Sequence, residues 1–179
     1  MSTPQFRFAI MAAVIHQMSQ ARRDIGKIQL QKLLYFLQNG LGVPLDYRFV
    51  MHHYGPYSVQ IEDNLSIVRA VGAAQVSVDP EGYGYHITPG ETDITAWTEL
   101  VRPHAESISR VVETLGGHDA ARLELLATIH FVRSLRRTTT VEDVLAEVRS
   151  LKPKFSVDYI RSAYRELVNS DLMKESASP

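Results

Sequence analysis

The chain has 179 residues, 45% of them apolar and 22% charged, which fits one large or two small globular domains and excludes a disordered tail. It contains no cysteine, which excludes disulfides, thiolate metal sites and a cysteine nucleophile together. The net charge of −1 is unevenly spread: residues 1–45 carry five Lys or Arg against one acid, residues 46–118 four against ten, and residues 119–174 ten against eight, so only the two ends can offer phosphate a basic face.

The first predicted helix runs from Pro4 to Arg22, capped by Ser2 or Thr3, with Phe8, Met11, Ala12, Ile15 and Met18 as its buried stripe. Its apolar centre is short and bounded by Arg7 and His16, so it reads as a core helix and not as a signal peptide. Asp24 is placed to cap the next start. The second helix, Lys27 to Asn39, buries Ile28, Leu30, Leu33, Leu34 and Leu37 and is closed by Asn39-Gly40. Tyr47 to His52 reads as a strand stopped by Gly55-Pro56. Ser58 then caps a third helix with the stripe Ile61, Leu65, Val68 and Val71.

Gln75 to Val78 and Tyr83 to Ile87 flank the turn residues Asp79-Pro80-Glu81-Gly82 and form a hairpin. Helix, helix, strand, helix, hairpin is a winged-helix layout, with the hairpin as its small β-wing. A long helix from Asp93 to Leu115 leads to Gly116-Gly117, the expected boundary. Beyond it, Ala120 to Leu135, Thr140 to Ser150 with Asp143 in a capping box, and a helix capped by Ser156 form a helical, helix-turn-helix-like unit. The expected organisation is a mainly α chain: a winged-helix-like unit over 1–116, a C-terminal unit over 117–174, and a frayed tail at 175–179. The lack of disulfides favours the cytoplasm, and no apolar run approaches the roughly 20 residues of a membrane helix.

Three stretches carry a resemblance. Lys27-Ile28-Gln29-Leu30-Gln31-Lys32-Leu33-Leu34-Tyr35 and His53-Tyr54-Gly55-Pro56-Tyr57-Ser58 resemble the paired signature of Panacea-domain proteins, the group that contains SocA-like antitoxins. Together with Leu123-Glu124-Leu125-Leu126-Ala127 they are similar to the YwgA-type proteins. The resemblance implies a helix-rich winged-helix fold, no known catalytic residue set, and a toxin–antitoxin or phage-defence setting. The SocA-like members are implied to act by protein contact, neutralising a toxin or delivering it to a protease. The C-terminal helix-turn-helix-like unit departs from a minimal Panacea domain.

The residues themselves give catalysis little support. His52-His53 fall on opposite faces of a strand with no third ligand at a useful spacing, so they read as one buried and one exposed histidine and no metal or cofactor is expected. Ser58 lacks the following glycine of a nucleophile elbow, and its simpler role is the helix cap. Two contact surfaces remain. Tyr54 and Tyr57 flank a sharp Gly-Pro turn and are the protein-contact candidates, because tyrosine gives large contact area at low entropic cost. Lys152, Lys154, Arg161 and Arg165, with Arg133, Arg136 and Arg137 near them, are the nucleic-acid candidates on the C-terminal unit, diluted by Asp158 and Glu166. In the first unit, Glu62, Asp63, Asp79 and Glu81 occupy the reading helix and wing and repel phosphate. The expected function is a non-enzymatic regulator acting by protein contact, antitoxin-like or adaptor-like, with homo-oligomers possible; the alternative is a DNA-binding transcriptional regulator using the C-terminal unit.

Overall fold

Helix α1 (Pro4–Gln20) starts where its cap falls: the Thr3 hydroxyl accepts from the Phe6 amide at 3.2 Å, and Pro4 occupies the first turn, where a missing N–H costs nothing. The computed structural model describes residues 3–23, 25–78, 84–135 and 140–173. After α1 come α2 (Lys27–Asn39), β1 (Val50–His52), β2 (Gly55–Tyr57), α3 (Val59–Ala70), β3 (Ala74–Val78) and β4 (Tyr85–Pro89). The second half holds α4 (Thr98–Val101), α5 (Ala105–Leu115), α6 (Ala120–Leu135), α7 (Val141–Leu151) and α8 (Val157–Asn169). Helices make up 64% of the described residues, so the fold is mainly helical, and the described strands form two separate antiparallel hairpins. Asp24, the wing turn with Asp79 and Glu81, Arg136 and Arg137, and the tail lie outside the described residues.

Helices α2 and α6 have the expected boundaries, and the Thr140–Asp143 capping box that opens α7 is formed. The wing hairpin is present, with Val76 opposite Ile87, and the Ile87 amide donates to the Ile25 carbonyl at 2.9 Å, fastening it to the α1–α2 connection. Other expectations are corrected. The strand expected over Tyr47 to His52 begins only at Val50. Its first residues are held by side chains instead: Gln38 Oε1 accepts from the Tyr47 amide at 2.8 Å and Gln60 Oε1 from the Arg48 amide at 2.9 Å. The strand ends at His52, the turn falls at His53-Tyr54, and Gly55-Pro56, expected to be the stop, begins β2 instead, with His52 opposite Gly55 and Met51 opposite Pro56. The alternation of an antiparallel ladder leaves pairs that exchange no hydrogen bond, where a proline is tolerated.

The long helix expected from Asp93 to Leu115 is broken. A 3-10 turn at Thr95–Trp97, the short α4 and a second 3-10 turn at Arg102–His104 precede α5. Pro103, which has no N–H to donate and crowds the preceding turn, is the physical reason. This segment lays Trp97, the chain's single tryptophan, into an apolar cleft with Ala9 and Ala13 of α1.

One hydrophobic cluster runs from Ile10 of α1 through Leu33 of α2, Ile108 of α5 and Leu126 of α6 to Leu167 of α8. Apolar packing therefore continues across Gly116-Gly117. A Cβ at Gly116 would come within 2.7 Å of the Met18 sulfur, so glycine there permits close approach to α1. Helices α7 and α8 pack on each other and on α6, in the helix-turn-helix-like arrangement of the C-terminal unit. Among the described residues, no helix is long and apolar enough to cross a membrane.

Leu33 is fully buried in the stripe of α2. Its replacement by alanine is expected to cost about 2–5 kcal/mol in a denaturant titration; an unchanged midpoint would place α2 outside the core.

Candidate functional site

Two polar side chains on α2, Lys32 and Gln31, look out of its apolar stripe into the rest of the protein. Lys32 is 1% exposed, yet it carries an ammonium group, and burial lowers its pKa from the usual lysine value to about 8, partly opposed by the Glu124 carboxylate. Its Nζ donates to the Pro56 carbonyl at 2.6 Å. The neighbouring Gln31 side chain clamps Ser58 from both sides, accepting from its amide at 3.1 Å and donating to its carbonyl at 2.9 Å. The β1–β2 hairpin is thereby tied to α2 by its backbone, at Pro56 and Ser58.

Gly55 brings the same hairpin against α6. Its φ of +81° is a conformation that L side chains rarely adopt, and a Cβ there would lie 3.0 Å from Thr128 Oγ1 and 3.2 Å from the Glu124 carbonyl. Glu124 is 3% exposed in the middle of an apolar helix. It is neutralised from the α7–α8 turn: Lys152 Nζ lies 2.7 Å from one carboxylate oxygen and Lys154 Nζ 3.0 Å from the other. Lys152 also donates to the His53 carbonyl. The segments 27–35, 53–58 and 123–127 that carry the family resemblance therefore meet here, around one buried carboxylate and the cations facing it.

A shallow cleft of about 240 Å³ opens above this cluster. Met51, His52 and His53 form one wall, Leu151, Pro153 and Lys154 the other, with Glu124 and Lys152 at the base. His53 and Tyr54 make the hairpin tip, and their rings meet edge to face at 4.9 Å. Tyr54 is 48% exposed. Tyr57 is partly covered and lies 5.3 Å from the His52 ring, with its hydroxyl pKa raised by partial desolvation and by Glu62 and Asp63. Both histidines are exposed, which corrects the expectation of one inside and one outside: His53 sits in the turn, beyond the alternation of the strand.

The nucleic-acid candidates are dispersed. Lys152 is buried in the ion pair with Glu124 and cannot reach a phosphate. Lys154 is half exposed, shares Glu124, and lies 4.9 Å from the Phe155 ring centre. Arg161 forms a two-pronged pair with Glu142 at 2.7 and 2.9 Å. Arg165 is exposed beside Glu166 and Asn169 on α8. Glu166 in turn is held by Arg122 and His118.

Sequence reasoning missed Lys32, Gln31 and Glu124. A lysine and a glutamate standing alone in two apolar helices were the available signal, because such charges persist inside only when paired. It also missed the buried pair in which the Tyr35 hydroxyl meets His130 Nδ1 at 2.8 Å. Ser58 occupies the cap position of α3, but its hydroxyl makes no capping bond and is buried without a partner among the described residues. No family model matches the chain, and no curated protein is similar to it.

Two outcomes follow. Ser58→Ala is expected to be neutral or mildly stabilising, since it removes an unsatisfied buried hydroxyl, whereas Gly55→Ala is expected to cost about 2 kcal/mol or more from strained φ and crowding against α6. Urea midpoints of the two variants decide this; a large loss for Ser58→Ala would require a bonded hydroxyl. His130 is held neutral by burial, its pKa lowered to about 4. The unfolded chain then binds a proton that the folded chain refuses, so the stability from this site is complete above about pH 6.5 and falls toward pH 4, by up to about 3 kcal/mol. The stability gap between the parent and His130→Gln should narrow over that window, and a gap independent of pH would contradict it.

Proposed function

We propose that this chain is a non-enzymatic regulatory binding protein, antitoxin-like or adaptor-like, that works in the cytoplasm by gripping a protein partner at the β1–β2 hairpin tip. The observation that carries the reading is Tyr54, an exposed aromatic on a turn whose backbone is fixed from α2, from α6 and from Lys152. A rigid anchor of this kind loses little entropy when it enters a partner's pocket. The Leu151, Val157 and Tyr159 side chains, all more than two-fifths exposed, extend apolar surface onto the α7–α8 turn. A toxin or a phage-defence component is the partner class that the family resemblance suggests.

DNA binding by the C-terminal unit is the second reading, favoured by exposed Arg165 on the second helix of a helix-turn-helix-like pair. Against it, Lys152 and Arg161 already face carboxylates, and Asp158 and Glu166 share the helix.

The test uses the purified chain and the product of its neighbouring gene. Tyr54→Ala should weaken that complex by about 2 kcal/mol or more, with Tyr57→Ala the milder change, while Arg161→Ala/Arg165→Ala leaves it intact. Duplex DNA should bind weakly and without sequence preference at physiological salt. Nanomolar sequence-specific binding, with a log–log salt slope that the double arginine change flattens by about two units, would replace the first reading with the second.

A further inference from the structure

The ion-pair cluster under the hairpin is not balanced. Three ammonium groups, on Lys32, Lys152 and Lys154, converge on the region, and Glu124 is the one carboxylate that the described residues bring within ion-pair distance of any of them. Glu124 is already met on both oxygens, so it has no further charge to give. Burial is the main reason the charged form of Lys32 is disfavoured; Glu124 opposes that, and Lys152 adds to it as a like charge in a partly dry space. Lys154 is the member that can move: its side chain is 53% exposed, and Glu124 would keep Lys152 if it left.

We infer that the cleft between the hairpin tip and the α7–α8 turn is an anion-binding site, and that its occupant is a carboxylate side chain, Asp or Glu, presented by a partner protein beside an apolar residue. The inference rests on the protein-contact reading above for the source of that carboxylate. An entering carboxylate takes Lys154 as its ion-pair partner and adds the missing negative charge above Lys152 and Lys32. Its apolar neighbour lies on Met51, Leu151 and Pro153, which form the rim. The chemistry of the surroundings favours a protein over a nucleic-acid backbone. A duplex lays down a row of phosphates, each needing its own cation, whereas the cleft of about 240 Å³ accepts one group and the nearby Arg161 is occupied by Glu142. Tyr54, exposed next to His53 in the hairpin turn, supplies contact area to the same partner.

The experiment uses the full chain and a short fluorescein-labelled peptide of alternating leucine and glutamate, with a glutamine-for-glutamate version and a labelled duplex beside it. Anisotropy should show the glutamate peptide binding and the glutamine peptide binding weakly or not at all. Lys154→Gln, a change on an exposed side chain that leaves the Lys152–Glu124 pair in place, should weaken the glutamate peptide about fivefold. Ring-proton resonances of His52 and His53 should shift with the glutamate peptide and not with an equal ionic strength of sodium chloride. Equal binding of both peptides, no effect of Lys154→Gln, or a duplex that binds more tightly and depends on Lys154, would each overturn the acidic-partner site. If Tyr54→Ala abolishes the natural complex and Lys154→Gln does not, the protein-contact reading survives and this site falls. If the glutamate peptide binds through Lys154 while the natural complex ignores Tyr54→Ala, the site survives and the Tyr54 reading falls.

Discussion

A lysine ammonium sealed from water has to find its acceptors within the protein, and Lys32 imposes that demand on the middle of this molecule. Leaving such a charge unpaired costs several kcal/mol, far more than any one surface contact returns. The Pro56 carbonyl accepts its hydrogen bond, and the Glu124 carboxylate, already paired with Lys152 and Lys154, favours its charge through space. Each answer brings a segment with it: the first hairpin must lie on α2, and α6 must present Glu124 where Lys152 can close the pair. The two halves of the chain, whatever their order in sequence, are therefore joined at a charged centre as well as by the apolar cluster.

Much of this was legible in the sequence. Helices with strong three-and-four periodicity, α2 and α6, have their expected limits, as does the capping box of α7, because local patterns decide them. The first hairpin was hidden because Gly-Pro ordinarily ends a strand, and because what redeems it, the contacts with Gln31 and Lys32, lies across some 24 to 27 residues of chain. The wing was easier, since its turn residues sit between two evident strands. For the site, the sequence left Tyr54 open between packing and exposure, and it is 48% exposed, while Lys152 looked like a free basic residue. Its burial depends on Glu124 and His53, partners that spacing does not reveal.

The distribution of pairing also bears on the ten basic residues in the last third of the chain. Long-range attraction of phosphate needs unpaired charge over an extended face. Among the described residues, five cations of this region do internal work, Lys152 and Lys154 on Glu124, Arg161 on Glu142, Arg122 on Glu166, and Arg149 on the Pro153 and Phe155 carbonyls, while Arg165 is exposed.

The broken segment before α5 has a spectroscopic consequence. The chain's only indole sits at Trp97, half-buried beside α1 and packed against the outside of the hydrophobic cluster rather than within it. Its emission therefore reports the docking of one short, proline-interrupted stretch. That stretch is bound by few buried contacts and so opens at lower free energy than the interior. Fluorescence and circular dichroism would then trace different events on heating, and a molecule that follows a single cooperative transition in its helices would look two-stepped to its own tryptophan.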